Sequence, residues 1–128
     1  MIRLLLILLL MMVSASVTNV VKPPQESTSY VESGKASYYT DNLAGKKTAS
    51  GEPYQPHLLT AAHTTLPFGS LVKVTCRETQ KSVVVKINDR GPFVKNRIID
   101  LSKSAFKQIH SLKKGEIEVI IEMVNDQN

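Results

Sequence analysis

A mostly β fold, a closed barrel of five or six short strands with one or two short helices, is predicted for this 128-residue chain. Three observations predict it. The segments 71–76, 82–87 and 117–123 are rich in β-branched residues, the first and last with alternating polarity, as half-buried strands require. Turn-forming clusters punctuate them at Leu66-Pro67-Phe68-Gly69 and over 77–81. Only one segment, 102–110, repeats apolar residues at helical spacing. Such short, evenly spaced strands favour a closed barrel over a two-layer α/β sheet.

In chain order, Met1-Ile2-Arg3, the apolar run 4–13 and Ser14-Ala15-Ser16 follow the pattern of an export signal, placed at 1–16. The ten apolar residues of that run span about 15 Å as a helix, short of the roughly 30 Å hydrocarbon core of a bilayer. A cleaved signal and no stable membrane anchor is the expectation. Residues 17–33, with Pro23-Pro24 and no apolar period, read as a linker. A first strand is expected over 34–39. The long loop over 40–57, rich in Gly, Lys and Pro, is of the kind that carries function in a small domain. In the helix over 102–110, Leu101, Ala105, Phe106 and Ile109 share a face, with Ser102 or Asp100 as the cap. Gly115 breaks the chain towards the last strand. The folded domain is thus expected over 34–124, with a tail at 125–128.

Size and charge bound the function. The length allows one domain with a modest core. Cys76 is the only cysteine, so no internal disulfide supports the fold and packing must suffice. Sixteen Lys and Arg against eleven Asp and Glu give a net charge of +5, which suits an anionic partner. No nucleic-acid-binding motif accompanies that charge, so nucleic acid is not expected as a partner. His57, Glu52 and His63 lack the spacing of a zinc site, and neither a metal nor another cofactor is expected. No serine lies in a nucleophile elbow and no Gly-rich phosphate loop occurs.

Chemistry concentrates in four residues. Asp89 ends an apolar run within Ile87-Asn88-Asp89-Arg90-Gly91-Pro92-Phe93, and Asp100 lies in Arg97-Ile98-Ile99-Asp100-Leu101-Ser102. Thr48-Ala49-Ser50-Gly51-Glu52 and Thr60-Ala61-Ala62-His63 add an acid and an imidazole. Each has a structural alternative. Asp89 can bond turn amides and pair with Arg90; Asp100 can cap the following helix. Glu52 can be a solvated loop residue, and His63 a turn or core histidine with its ring satisfied. A general acid needs a proton held near neutrality, and burial or a second carboxylate beside Asp89 supplies that condition. Tyr38, Tyr39, Tyr54 and Phe68 are able to stack on sugar rings, although most aromatic residues in so small a chain belong to the core.

With Gly34-Lys35-Ala36-Ser37-Tyr38-Tyr39 and Leu66-Pro67-Phe68-Gly69-Ser70 added, these motifs make the chain resemble the rare lipoprotein A (RlpA) family of endolytic peptidoglycan lytic transglycosylases, over about residues 34–123. The resemblance implies a six-stranded double-psi β-barrel with a glycan groove. It also implies cleavage of the β-1,4 bond between N-acetylmuramic acid and N-acetylglucosamine to leave 1,6-anhydro-muramic ends, with a preference for peptide-free strands. Its catalytic residues fall on Asp89, Glu52 and His63. Asp100, Arg90, Ser50 and Tyr39 are the expected substrate-binding or charge-tuning residues. Peptidoglycan strands are the expected partner, and the protein is expected to act as a monomer. A lipoprotein needs a Cys directly after its signal, and none precedes Cys76, so export to the periplasm or cell wall without lipid is expected. A non-catalytic, expansin-like domain that binds glycan or loosens the wall is the alternative, using the same groove and acids for hydrogen bonding alone.

Overall fold

The computed structural model describes residues 14–21 and 30–124. The apolar signal run at 4–13, residues 22–29 of the linker and the tail at 125–128 lie outside the described residues. Six strands form the closed barrel: β1 Val31–Tyr38, β2 Thr60–Ala62, β3 Leu71–Cys76, β4 Ser82–Asp89, β5 Arg97–Leu101 and β6 Ile117–Met123, with one helix, α1, over Lys103–Ile109. Around the barrel the order is β1-β5-β2-β4-β3-β6. β1 with β5 and β2 with β4 run parallel, while the remaining neighbours run antiparallel. The crossovers this order requires bring together strands distant in sequence. The fold is a double-psi β-barrel.

Alternation builds the core. Val72, Val74 and Cys76 from β3, Val83, Val85 and Ile87 from β4, and Ile117, Val119 and Ile121 from β6 all point inward and are buried. Ala105, Phe106 and Ile109 of α1 close one side of that core. The Ser102 side chain accepts from the Ala105 amide at 3.2 Å and caps the helix, so Asp100 is released from the capping role the sequence also allowed.

β1 begins at Val31, three residues ahead of the expected start at Gly34. Its early residues pair antiparallel with β6, Val31 opposite Glu122 through Ala36 opposite Ile117. Partnership across the barrel overrides a local composition that reads as linker. Gly34 has a steric duty here. A Cβ on it would lie 2.6 Å from Ile98 Cγ2 and 3.2 Å from the Asn96 carbonyl oxygen. Gly34→Ala is therefore expected to cost about 1–3 kcal/mol through overpacking. A thermal melt reads this as a fall of several degrees, and an unchanged melt would contradict the close approach.

Candidate active site

The crossed strand order places the two aspartates side by side. Ala62 of β2 pairs with Asp100 of β5 on one flank and with Asp89 of β4 on the other, and Ser37 of β1 pairs with Asp100. Residues paired across neighbouring strands project to the same face. Between Ala61 and Ala62 the β2–β4 register shifts, since Ala61 is opposite Ile87 but Ala62 is opposite Asp89. A bulge of this kind re-aims a side chain. It sets Asp89 in the Ala62 row and leaves Asn88 buried at 2% exposure. Ala62 alone stands between the two acids in that row.

Asp89 is held from several sides. Its Oδ1 accepts from the Ala49 amide at 2.8 Å and the Arg90 amide at 2.9 Å, and its Oδ2 accepts from the Tyr39 hydroxyl at 2.5 Å. Ala49 brings the tip of the 40–57 loop against the acid. Tyr39 packs edge-on against Tyr54 at 4.5 Å, and both rings lie over Ala62 in a small cluster separate from the main core. Burial, then the Asp89 hydrogen bond, pushes the Tyr39 hydroxyl well above the ordinary phenol range, so it stays a donor.

Asp100 is a different acid. Its Oδ1 accepts from Arg97 Nη2 at 2.5 Å, yet burial outweighs that partner and raises its pKa, with the nearby Asp89 charge adding to the rise. Burial thus favours the protonated form of Asp100.

Other expected site residues are placed differently. Arg90 does not pair with the Asp89 carboxylate. Its Nη1 donates to the carbonyls of His63 at 3.2 Å and Leu66 at 2.8 Å, and its guanidinium stacks on Phe68 at 4.0 Å. This removes the ion pair that the structural alternative for Asp89 required. His63 is buried at 1% exposure. Its Nδ1 accepts from the amides of Thr65 and Leu66, both at 3.1 Å, so Nε2 carries the hydrogen and donates to Glu32 Oε2 at 2.9 Å. Both ring nitrogens are committed within the protein, and neither is left for a sugar. This is the satisfied ring of the structural alternative for His63, and it positions the site: its backbone amide bonds the Asp89 carbonyl at 3.2 Å, and its ring holds the following turn.

Glu52 is half exposed and bonds Lys86 Nζ at 2.9 Å. Ser50 lies beside it, its Oγ accepting from the Glu52 amide at 3.3 Å and lying 3.0 Å from Thr48 Oγ1. Sequence reasoning missed the Ala49 amide, Arg97 and Glu32. An amide leaves no trace in side-chain type, and Glu32 sits in a segment that reads as linker.

Removing the His63 ring leaves two backbone amides without an acceptor, and a buried donor so orphaned costs about 1–3 kcal/mol. His63→Ala is expected to lower the urea midpoint with its slope unchanged. An unmoved midpoint would return the ring to the substrate side.

Among the described residues no group of three His, Cys, Asp or Glu side chains converges as a metal site. A surface cavity of about 560 Å³, lined by Lys35, Arg77, Glu78, Lys114 and Glu116 among others, lies away from the aspartates. Its volume outweighs its chemistry, for it contains neither a tyrosine nor an acid beside a second, buried acid. Neither Asp89 nor Asp100 lines it.

Residues 31–121 match the family described as lytic transglycolase. The endolytic peptidoglycan transglycosylase RlpA of Pasteurella multocida is 48% identical over 100 residues, covering 78% of this chain and 34% of that protein. The protein of the same name from Campylobacter jejuni is 50% identical over 91 residues, covering 71% of this chain and 33% of that one. The chain thus spans about a third of the length of these relatives. Among solved structures, the Streptomyces papain inhibitor superposes with a TM-score of 0.61 at 25% identity, covering 75% of this chain and 96% of that one. A Clavibacter michiganensis expansin superposes with a TM-score of 0.62 at 19% identity, covering 77% of this chain and 52% of that one. The expansin likeness concerns the fold alone.

Proposed function

The chain belongs to the lytic transglycolase family, and from that premise we propose that it cleaves the β-1,4 bond between N-acetylmuramic acid and N-acetylglucosamine in peptidoglycan, leaving 1,6-anhydro-muramic ends. The observation that carries this reading is the facing of Asp89 and Asp100 across Ala62, with Tyr39 bonded to Asp89. One acid/base suffices for the reaction. In its protonated form Asp89 gives its proton to the glycosidic oxygen as that bond breaks. It then takes the proton of the muramic 6-hydroxyl as that oxygen bonds to C1 of the same sugar, which restores the acid. No water enters, whereas glycoside hydrolysis needs two carboxylates at a set separation.

The other residues prepare that step. The Ala49 and Arg90 amides fix Oδ1, so proton exchange falls to Oδ2, where Tyr39 orients it. Asp100, raised by burial, sets a second carboxyl across Ala62 from Asp89. Glu52 and Ser50 line the loop side as sugar ligands, and His63 and Arg90 hold the turn behind Asp89. Peptide-free strands are the preferred substrate, and the protein works as an exported monomer.

Incubation with purified glycan strands followed by mass analysis of the products tests the reading. New anhydro-muramic ends are expected. Binding without new ends would leave a glycan-binding domain, and reducing ends would indicate a hydrolase. Export is tested by N-terminal sequencing of secreted protein, with a start near Ser16 expected and a start at Met1 contradicting it.

A further inference from the structure

One polar cluster lies outside the reacting residues and leads into them. Glu32 of β1 is set in place by pairing with Ile121 of β6. Its Oε2 accepts two hydrogen bonds, one from His63 Nε2 at 2.9 Å and one from the Tyr30 hydroxyl. The Tyr30 ring also meets the imidazole edge-on, with centroids 5.9 Å apart. Burial, then the bond to Glu32, pushes the Tyr30 hydroxyl up to about 12, so it stays a donor. The His63 side chain is 1% exposed and that of Glu32 32% exposed, so a buried ring takes its outer partner from an acid near the surface.

The ring is thus anchored at both ends. The Thr65 and Leu66 amides can only donate, so Nδ1 keeps its lone pair for them and Nε2 carries the hydrogen. A carboxylate opposite Nε2 then holds both that tautomer and the orientation of the ring. The consequences run along the turn. His63 and Leu66 present the carbonyls that take Arg90 Nη1, at 3.2 and 2.8 Å, and the Arg90 amide donates to Asp89 Oδ1 at 2.9 Å. The His63 amide holds the Asp89 carbonyl as well. A ring that shifts therefore moves the donor on which the Asp89 carboxyl rests.

We propose that Glu32 is a positioning residue of the cleavage, anchoring the His63 ring so that the 63–66 turn holds Arg90 and, through it, Asp89 Oδ1. Glu32 acts through His63 and not on the glycan, and Tyr30 holds Glu32 in turn. This rests on the reading of the protein as a peptidoglycan-cleaving enzyme. It makes part of that activity depend on residues 30–32, where the chain enters the barrel.

The test compares Glu32→Ala with Glu32→Gln in the full chain, each checked for folding by a thermal melt. The Gln carbonyl oxygen still accepts from Nε2 and from Tyr30, whereas Ala offers no acceptor. Since a displacement of about 1 Å far from the chemistry costs up to about 100-fold, Glu32→Ala is expected to lower kcat for anhydro-muramic ends by about 10- to 100-fold with KM near wild type. Glu32→Gln should restore most of that rate. Hydrogen exchange at the Thr65 and Leu66 amides should quicken in Glu32→Ala alone, and nitrogen NMR should show the Nε2–H form of His63 in wild type and Glu32→Gln. A folded Glu32→Ala protein with wild-type kcat would overturn the proposal. So would a Glu32→Gln protein as slow as Glu32→Ala, which makes charge the working feature, or a rise in KM with kcat kept, which makes Glu32 a glycan ligand. Should Glu32→Ala fail to fold, Tyr30→Phe takes its place, because it keeps the ring edge but removes one hydrogen bond to Glu32. Its kcat is then expected to fall about threefold, as suits one modest hydrogen bond, and an unchanged kcat overturns the proposal. Wild-type protein that yields no anhydro ends would overturn the cleavage reading, whereas unchanged amide exchange in Glu32→Ala would overturn the anchor itself.

Discussion

Asp89→Asn is expected to reduce formation of anhydro-muramic ends by about 100- to 10,000-fold, the range for loss of a positioned acid/base, with folding intact. The hydrogen bonds explain the intact fold. The Asn oxygen still accepts from the Ala49 and Arg90 amides, and the Asn amide nitrogen still meets Tyr39 by donating to its oxygen. What disappears is the transferable proton. The contrasting variant is Asp89→Ala, which removes the acceptor of both amides; the exposed Ala49 amide turns to water, and the half-buried Arg90 amide should cost about 1 kcal/mol in stability. Melting temperature and product yield on one preparation separate the two effects. A folded Asp89→Asn protein cutting glycan near the wild-type rate would move the proton transfer to Asp100. The structural alternative, an Asp89–Arg90 ion pair, predicts instability for Asp89→Asn, but Arg90 commits its guanidinium to two carbonyls and Phe68.

Strands β3 and β6 were legible because their inward residues alternate over six or seven positions, long enough for a period to show, and β4 because its run is rich in β-branched residues. α1 was legible from one apolar face and the Ser102 cap. β2 was not: it has three residues, all buried, because β4 and β5 flank it on both sides, and so short a run shows no alternation. The motifs named Asp89 and Asp100 as candidates, but their adjacency depends on strand order. Eleven positions separate them in sequence, and only β2, inserted between β4 and β5, makes them neighbours. The bulge at Ala61/Ala62 is equally silent in composition, yet it decides which of Asn88 and Asp89 joins the row. His63 shows the opposite limit. Residue type marked it for chemistry, while its bond to Glu32, a contact spanning 31 positions, is invisible in sequence.

Replacing Asp100 by Asn should separate stability from activity. Because burial outweighs Arg97 and raises the Asp100 pKa, the folded protein binds that proton more tightly than the unfolded chain does. The stability linked to the proton is present in full below the unfolded value of 3.8 and is lost as pH rises through the raised folded value. At neutral pH the charged Asp100 is thus a burden on the fold, which a neutral Asn lacks. Asp100→Asn is expected to melt at or above the wild-type temperature at pH 7, and the advantage should vanish as pH falls and the wild-type acid takes up its proton. Activity should move the other way. Without the second carboxylate, less repulsion keeps a proton on the Asp89–Asp100 pair, so the alkaline limb of the pH–rate profile should move to lower pH. At a fixed pH on that limb, a displacement of the limb by one pH unit lowers the rate about tenfold, while the rate on the acid side is preserved. A loss of rate equal at every pH would instead make Asp100 a substrate ligand, and a destabilised Asp100→Asn would show that its bond to Arg97 outweighs its burial. The expected combination, a steadier protein that works only under more acidic conditions, is what a strained acid kept for function produces.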